Sequence, residues 1–177
     1  MPGNPANDMY SEPLPGETLL EEVLVDRESD DTGIQSNTTF GFAHDFLSTY
    51  LQGLPGAVLL FDGGIGAGKT TFCRAIGDWL QVSEQVNSPT FNLLHIHHGQ
   101  RGVLCHYDLY RISEAELDEL EFTDLWKSQV DHRFTIHAIE WWRHAGRVVT
   151  DLPVFRLAFD YGTDDDQRII RIFRRIL

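Results

Sequence analysis

The chain has 177 residues, enough for one ordinary domain with a sizeable core and too few for two. Its net charge is -13: residues 1–37 carry -8, from nine acids and one base, and residues 38–177 carry -5, from 18 acids and 13 bases. This balance argues against a protein that grips nucleic acid through a basic surface of its own, so if RNA is involved we expect a partner to hold it.

Residues 1–37 are predicted to be an acidic, proline-rich and flexible N-terminal extension, because four of the seven prolines lie within the first fifteen positions. Thr18–Glu21 has the spacing of a capping box, so a transient helix or a docking peptide is an alternative. No segment has the pattern of a secretory signal or a membrane span, and two cysteines, Cys73 and Cys105, suit a reducing compartment. We expect a cytoplasmic protein.

Residues 38–177 are predicted to form one α/β domain. Apolar residues at helical spacing predict a first helix that ends near Gly53, and the apolar run 57–61 predicts a buried strand. The glycine-rich segment 63–71 follows this strand. Beyond it, a second helix is indicated by five apolar residues at helical spacing, Phe72, Ala75, Ile76, Trp79 and Leu80.

Strands predominate in the second half of the chain. The pattern predicts a hairpin of strands at 91–97 and 103–107, a short acidic helix that begins after Ser113, and strands at 134–139, 155–159 and 168–174, with the strand at 155–159 half-buried. We therefore predict a P-loop NTPase-like fold: a mixed sheet with parallel core strands and antiparallel hairpins, and helices on both faces.

Residues 63–71 read GGIGAGKTT, which fits the phosphate-binding loop pattern and lies between a predicted strand and a predicted helix. Glycines let main-chain amides approach a polyphosphate, and the next helix points its positive dipole end at the same anions. Lys69 would reach the terminal phosphates and Thr70 a magnesium ion. The segment predicts nucleotide binding.

Two predicted strands end in a carboxylate, Asp108 and Glu140. Ligands of open α/β sheets bind beyond the carboxyl ends of the strands, so both carboxylates are expected to face the nucleotide. Thr70 with one carboxylate is a sufficient protein contribution to a magnesium site. The second carboxylate would position or deprotonate an attacking water. These residues predict a catalytic set of Lys69, Asp108 and Glu140.

Four motifs in order resemble the TsaE (YjeE) family: GIGAGKTTF at 64–72, SPTF at 88–91, HYDLYR at 106–111 and the dipeptide at 140–141, over residues 38 to about 175. The resemblance implies a bacterial ATPase with weak activity alone, which acts with the TsaD and TsaB proteins in making threonylcarbamoyladenosine beside the anticodon of transfer RNA. It implies that hydrolysis drives turnover of that complex, that ATP and Mg²⁺ are the cofactors, and that transfer RNA is contacted only through the complex.

The resemblance also implies roles for individual residues. Thr70 and Glu140 would hold magnesium, Asp108 would be needed for hydrolysis, and Ser88 and Thr90 would belong to a switch-like loop. The nucleotide would be bound by Thr39, Gly63, Gly64, Ile65, Gly66, Ala67, Gly68, Lys69, Thr70, Thr71 and Trp141.

The chain departs from the family pattern at two positions. Gly64 stands where the family commonly has an acidic residue, and Trp142 stands where it commonly has a proline. The first change should leave every amide donor of the loop in place. With Trp142 in place of the proline, the sequence does not predict the conformation of the turn after Glu140.

Other readings stay open at this point. A small-molecule kinase would use the same loop, but the segment 113–131 is acidic where such enzymes have an arginine-rich lid. A module that only senses nucleotide is a third class. A metal site at His95, His97 and His98 lacks a completing ligand at suitable spacing. Arg111 and Arg143 are candidates for stabilising phosphate charge or for pairing with acids.

Overall fold

The computed structural model of the chain describes residues 10–26, 37–89, 91–119 and 122–175. Its centre is one seven-stranded sheet with the order β1-β7-β6-β2-β5-β4-β3. The strands are β1 (Glu17–Asp26), β2 (Gly56–Gly63), β3 (Leu94–His98), β4 (Val103–Asp108), β5 (Thr135–Glu140), β6 (Val154–Tyr161) and β7 (Gln167–Arg175). In the described part of the chain, no helix has the length and apolar character needed to cross a bilayer.

The sheet has a parallel core with antiparallel edges. β2 runs parallel to both β5 and β6, and β5 runs parallel to β4. β3 and β4 form the antiparallel hairpin that the sequence predicts, and β7 pairs antiparallel with β6 on one side and β1 on the other. The prediction of a mixed sheet with a parallel core is confirmed.

Helices cover both faces of the sheet. The helices are α1 (Thr39–Phe46), continued by a π-helical turn (Leu47–Leu51), α2 (Lys69–Trp79), α3 (Glu114–Glu119) and α4 (Phe122–Leu125), and a 3-10 turn lies at Trp142–Ala145. Thr38 caps α1, because its hydroxyl accepts a hydrogen bond from the amide of Gly41 at 3.2 Å. α1 and α2 pack in one apolar core, and side chains from α3 and the 3-10 turn pack in the core on the opposite face.

Buried aromatic rings hold α2 against the sheet directly below the glycine-rich loop. Phe72 of α2 contacts Phe61 of β2 and Phe159 of β6, with ring centres 5.6 and 5.8 Å apart in edge-to-face arrangements. Each buried phenylalanine contributes roughly 2 to 3 kcal/mol through removal of its surface from water. This packing determines where the first turn of α2 lies relative to the ends of the strands.

The expectation of flexibility over residues 1–37 is corrected for residues 17–26. They form β1, whose register with β7 runs from Glu17 opposite Arg175 to Asp26 opposite Gln167, so the segment is neither a tail nor the transient helix suggested by the capping-box spacing. Residues 1–9 and 27–36 lie outside the described residues. The division into an extension and a domain at residue 37 stays a prediction.

A buried arginine connects β1 to the centre of the sheet. Arg156 of β6 is 1% exposed, and its Nε donates to the Glu17 carboxylate at 2.8 Å while its Nη1 reaches the Asp62 carboxylate at 3.3 Å. The remaining donors bind the carbonyl oxygens of Tyr10 and Glu12 at 3.0 and 2.7 Å. For this reason β6 is buried on both faces, where the sequence predicted a half-buried strand.

We predict that Glu17→Gln lowers the free energy of unfolding by about 3 kcal/mol, because it breaks a buried ion pair and leaves Arg156 incompletely compensated. The measurement is urea unfolding at neutral pH. Glu22→Gln is the matched control. Glu22 lies on the same strand and pairs with Arg171, but its side chain is 53% exposed. The control should change stability by less than about 1 kcal/mol. Equal effects of the two substitutions would contradict the structural role of Arg156.

Candidate functional site

The glycine-rich loop connects β2 to α2 in a backbone conformation that requires glycine. Gly63, Gly66 and Gly68 have φ values of +140°, +80° and +109°, which side-chain-bearing residues rarely adopt. Gly68 is the N-cap of α2, and no described side chain caps this helix end. The first amides of α2 therefore point into the loop, in the arrangement that binds anions.

Lys69, the first residue of α2, is folded back over the loop. Its Nζ donates to the carbonyl oxygens of Gly63 and Gly64, both at 2.8 Å, and lies 5.1 Å from the centre of the Trp141 ring. The residue is 5% exposed, and burial lowers the pKa of its amine, an effect opposed by the Glu140 carboxylate in particular. Lys69 is thus a buried cation with backbone carbonyl oxygens as partners.

The two strand-end carboxylates lie side by side, as the sequence predicts. Asp108 and Glu140 are register partners on the parallel strands β4 and β5. Glu140 Oε1 accepts a hydrogen bond from the hydroxyl of Thr70 at 3.2 Å and lies 2.9 Å from His106 Nε2. The structure therefore brings together Thr70 and Glu140, the two residues predicted to hold magnesium.

Asp108 is held by two different donors. Its Oδ2 accepts from the hydroxyl of Ser88 at 3.0 Å, and its Oδ1 accepts from the amide of Tyr110 at 3.1 Å. The predicted switch-like residue Ser88 is thereby in direct contact with the predicted catalytic carboxylate. Thr90, the other predicted switch-like residue, lies outside the described residues.

These groups surround a cavity of about 500 Å³. Its walls include predicted residues from the loop, both strand ends and α1, together with three residues outside the predicted set. The lining residues are Thr39, Ile65, Gly66, Gly68, Lys69, Thr70, Thr71, Ser88, Asp108, Tyr110, Arg111, Glu140, Trp141 and Arg168. Gly63, Gly64 and Ala67, also predicted to bind nucleotide, do not line it, and Ala67 is fully buried in the core below the loop.

The segment after Glu140 makes a tight turn without the proline that the family pattern has there. Trp141 has a left-handed backbone, with φ of +57°, and the amide of His144 donates to its carbonyl oxygen at 3.0 Å. Arg143 then binds the Asp62 carboxylate through two hydrogen bonds of 2.9 and 2.8 Å and stacks on the Trp142 ring at 4.7 Å. The ion pair closes the turn and directs Trp141 to the cavity.

Sequence reasoning left Arg111 and Arg143 undecided and did not single out Arg168. Arg143 pairs with Asp62 and does not line the cavity, whereas Arg111 lines it and stacks on the exposed Phe91 ring at 4.9 Å. Arg168 also lines the cavity and stacks at 4.6 Å on Tyr161. Arg168 begins an alternating strand, so its position gave no signal of a site.

Two histidines of β3, His95 and His97, have side-chain partners. His97 Nδ1 lies 2.6 Å from the Glu84 carboxylate, and His95 lies within hydrogen-bonding distance of Asn92. Among the described residues, the ligand atoms that come close enough for a shared metal ion belong to Cys73, His106 and Glu140 and not to this strand. The metal reading of His95, His97 and His98 is not supported.

A family model agrees with the motifs. The model described as "Threonylcarbamoyl adenosine biosynthesis protein TsaE" matches residues 35–170. The match thus includes the loop, both strand-end carboxylates and the start of β7.

Curated relatives carry the same description. The chain is 40% identical over 118 residues to "tRNA threonylcarbamoyladenosine biosynthesis protein TsaE" of Streptomyces coelicolor, covering 66% of this chain and 76% of the relative. It is 34% identical over 100 residues to the protein of that name from Treponema pallidum, covering 56% and 68% of the two chains. For the Nostoc protein of that name the identity is 38% over 86 residues, and the chain spans about half of its length, 52%.

A solved structure has a similar fold. The crystal structure of Bacillus subtilis YdiB superposes with a TM-score of 0.59 at 20% identity, covering 90% of this chain and 88% of that one. At this identity the likeness concerns the fold.

We predict that Gly63→Ala destabilises the protein much more than Gly64→Ala does. A Cβ at Gly63 would stand 2.6 Å from the carbonyl oxygen of Phe159 on a backbone with φ of +140°, whereas a Cβ at Gly64 meets only the Tyr161 ring at 3.8 Å. Gly63→Ala should cost about 2 kcal/mol or more, and Gly64→Ala should change stability by less than about 1 kcal/mol. Thermal unfolding of both variants is the measurement, and a larger loss at Gly64 would contradict the loop geometry.

Proposed function

The chain belongs to the TsaE family, and from this premise we propose that it is a magnesium-dependent ATPase with weak activity alone. It takes part in tRNA threonylcarbamoyladenosine biosynthesis. The observation that supports the ATPase assignment is the convergence of Lys69, Thr70, Asp108 and Glu140 on one cavity beside a glycine-rich loop.

Lys69 and the loop amides bind the phosphates of ATP in this proposal. The carbonyl oxygens of Gly63 and Gly64 are weak partners for a buried ammonium group compared with phosphate oxygens. Lys69 therefore exchanges these carbonyl oxygens for the terminal phosphates when ATP enters. The positive end of α2 and the first amides of the helix contribute further stabilisation of the same anions.

Thr70 and Glu140 hold the magnesium ion. A hydroxyl and a carboxylate oxygen are hard oxygen donors, and their 3.2 Å separation suits ligands of one small cation, so the residues present fit Mg²⁺. Mg²⁺ held by these two residues would neutralise charge on the phosphate oxygens. His106, 2.9 Å from the same carboxylate oxygen, keeps Glu140 in the required orientation.

Asp108 positions and deprotonates the attacking water. It is 4% exposed, and both of its oxygens have donors, Ser88 on one and the Tyr110 amide on the other. These donors hold the carboxylate at the edge of the cavity. Because Ser88 belongs to the switch-like segment, a movement of that segment would change the position of Asp108 as well.

The sugar and base of ATP occupy the parts of the cavity beyond the phosphates. Thr39 and Thr71 line the cavity near the start of α2, and Thr39 lies against Gly68. Trp141 presents an aromatic face beside Lys69 and contacts Tyr110, with ring centres 4.9 Å apart. These residues define the nucleotide site that the family resemblance implies.

The partners in this proposal are the TsaD and TsaB proteins, in the cytoplasm where transfer RNA is modified. The net charge of -13 disfavours direct binding to the phosphate backbone of transfer RNA, so in this proposal transfer RNA is contacted through the complex. ATP hydrolysis drives turnover of the complex and is not a step of the transfer chemistry.

We predict that Lys69→Ala abolishes ATP binding and the partner-stimulated hydrolysis of ATP, because phosphate charge then lacks its buried counter-charge. The measurement is the release of inorganic phosphate from Mg·ATP, with the chain alone and with TsaD and TsaB. Lys127→Ala is the control, since Lys127 is exposed and pairs only with Asp124. A Lys69→Ala protein that binds and hydrolyses ATP as well as the control would contradict the ATPase assignment.

We predict that substitutions of the two carboxylates affect different steps, Asp108 the hydrolysis of ATP and Glu140 its binding with magnesium. Asp108→Asn should spare the affinity for Mg·ATP and lower the hydrolysis rate by about 100-fold or more, as expected for loss of a general base. Glu140→Gln should lower the affinity for Mg·ATP by about tenfold or more. Calorimetric titration and single-turnover hydrolysis measure the two effects. If both variants lose affinity and rate in the same proportion, the separate roles are wrong.

A further inference from the structure

A group of potential metal ligands shares Glu140 with the proposed magnesium site. Cys73 of α2, His106 of β4 and Glu140 of β5 are all buried, and one ligand atom from each lies within 4.8 Å of the other two. Cys73 comes one helical turn after Lys69, and His106 shares a strand face with Asp108 because side chains alternate along a strand. The fold thus brings the three residues together on the α2 side of the sheet.

The chemistry of this group differs from that of a magnesium site. A thiolate and an imidazole are soft or borderline ligands, which select zinc and related ions and disfavour magnesium. We propose that Cys73, His106 and Glu140 form a zinc-binding site, and that zinc bound there competes with Mg·ATP for Glu140. Coordination forms a bond between zinc and the Cys73 sulfur, and the thiol proton leaves to solvent.

The His106 imidazole already faces Glu140. His106 is fully buried, and its Nε2 lies 2.9 Å from the Glu140 carboxylate. Nε2 is therefore the nitrogen that would bind a metal ion shared with Glu140, in place of its present hydrogen bond. Ligand atoms around one zinc ion stand about 3.5 Å apart, so the group has to contract by about 1 Å.

Glu140 is the member of the group that borders the cavity, whereas Cys73 and His106 are fully buried and do not line it. Glu140 lines the 500 Å³ cavity, and its carboxylate also accepts the hydrogen bond of Thr70. A zinc ion that enters by the cavity meets Glu140 first and the thiol behind it. The competition with magnesium rests on the proposed function, whereas the binding of zinc rests only on the three side chains.

The first experiment measures metal binding by the full chain without nucleotide. Co²⁺ serves as the spectroscopic substitute for Zn²⁺, and a thiolate-to-cobalt charge-transfer band that disappears when Zn²⁺ is added is the expected result. Cys73→Ser should abolish the band and weaken Zn²⁺ binding by about 100-fold or more.

Cys105→Ser is the matched control. Cys105 is also buried and adjacent to His106 in sequence, but it packs in the core on the opposite face of the sheet, so its removal should leave the band unchanged. Cys73→Ala serves as a second variant if Cys73→Ser does not fold. A band that survives in a folded Cys73 variant, or no band in the wild-type chain, would overturn the proposal.

The second experiment compares inhibition of ATP hydrolysis by Zn²⁺ in the wild-type chain and in Cys73→Ser, each relative to its own rate without zinc. We expect inhibition that is relieved by magnesium and reduced at least tenfold in potency in Cys73→Ser. Equal inhibition of the two would contradict competition at this site. If neither protein binds or hydrolyses ATP, the proposed function fails, and the cobalt spectra still decide the zinc site.

Discussion

The burial of three charges around one cavity is the constraint on which the site depends. Lys69, Asp108 and Glu140 are each at most 5% exposed, and charges at such depth persist only with partners. Asp108 accepts hydrogen bonds from a hydroxyl and a backbone amide, and Glu140 is hydrogen-bonded to Thr70 and His106. Lys69 donates to backbone carbonyl oxygens. Two carboxylates beside one ammonium group leave an excess of negative charge. A divalent cation would pair with the carboxylates and a polyphosphate with the ammonium group, and all three side chains would stay buried.

A second network, in which Asp62, Arg156 and Glu17 are buried and Arg143 is exposed, holds the loop from the opposite face of the sheet. Asp62, the residue before Gly63, is bound by Arg143 from the 3-10 turn and by Arg156 from β6, which in turn binds Glu17 of β1. The strand before the loop, the turn after Glu140 and the N-terminal strand are therefore connected through one carboxylate. This connection gives β1 a structural role close to the proposed nucleotide site, although β1 lies at the edge of the sheet.

Local sequence patterns were sufficient for most of the fold and for the centre of the site. The loop, the two strand-end carboxylates and the hairpin are contiguous motifs, so their spacing indicated their structure. β1 was missed because its acidic composition matches that of an unfolded tail, and its stability comes from pairing with β7, which is distant in sequence. Arg156 and Arg168 were missed for the same reason, since an arginine in an alternating strand is normally solvent-exposed and only tertiary packing buries these two. Among the predicted nucleotide-binding residues, Ala67 has its methyl group in the core, and its predicted contact, which would be made by the main-chain amide, stays a prediction.

The most direct test of the account is a crystal structure of the chain with Mg²⁺ and a non-hydrolysable ATP analogue. We expect Lys69 Nζ to leave the carbonyl oxygens of Gly63 and Gly64 for the terminal phosphates, and the metal ion to bind Thr70 and Glu140. A nucleotide bound outside the loop, or a Lys69 that keeps both carbonyl contacts beside bound nucleotide, would contradict the account.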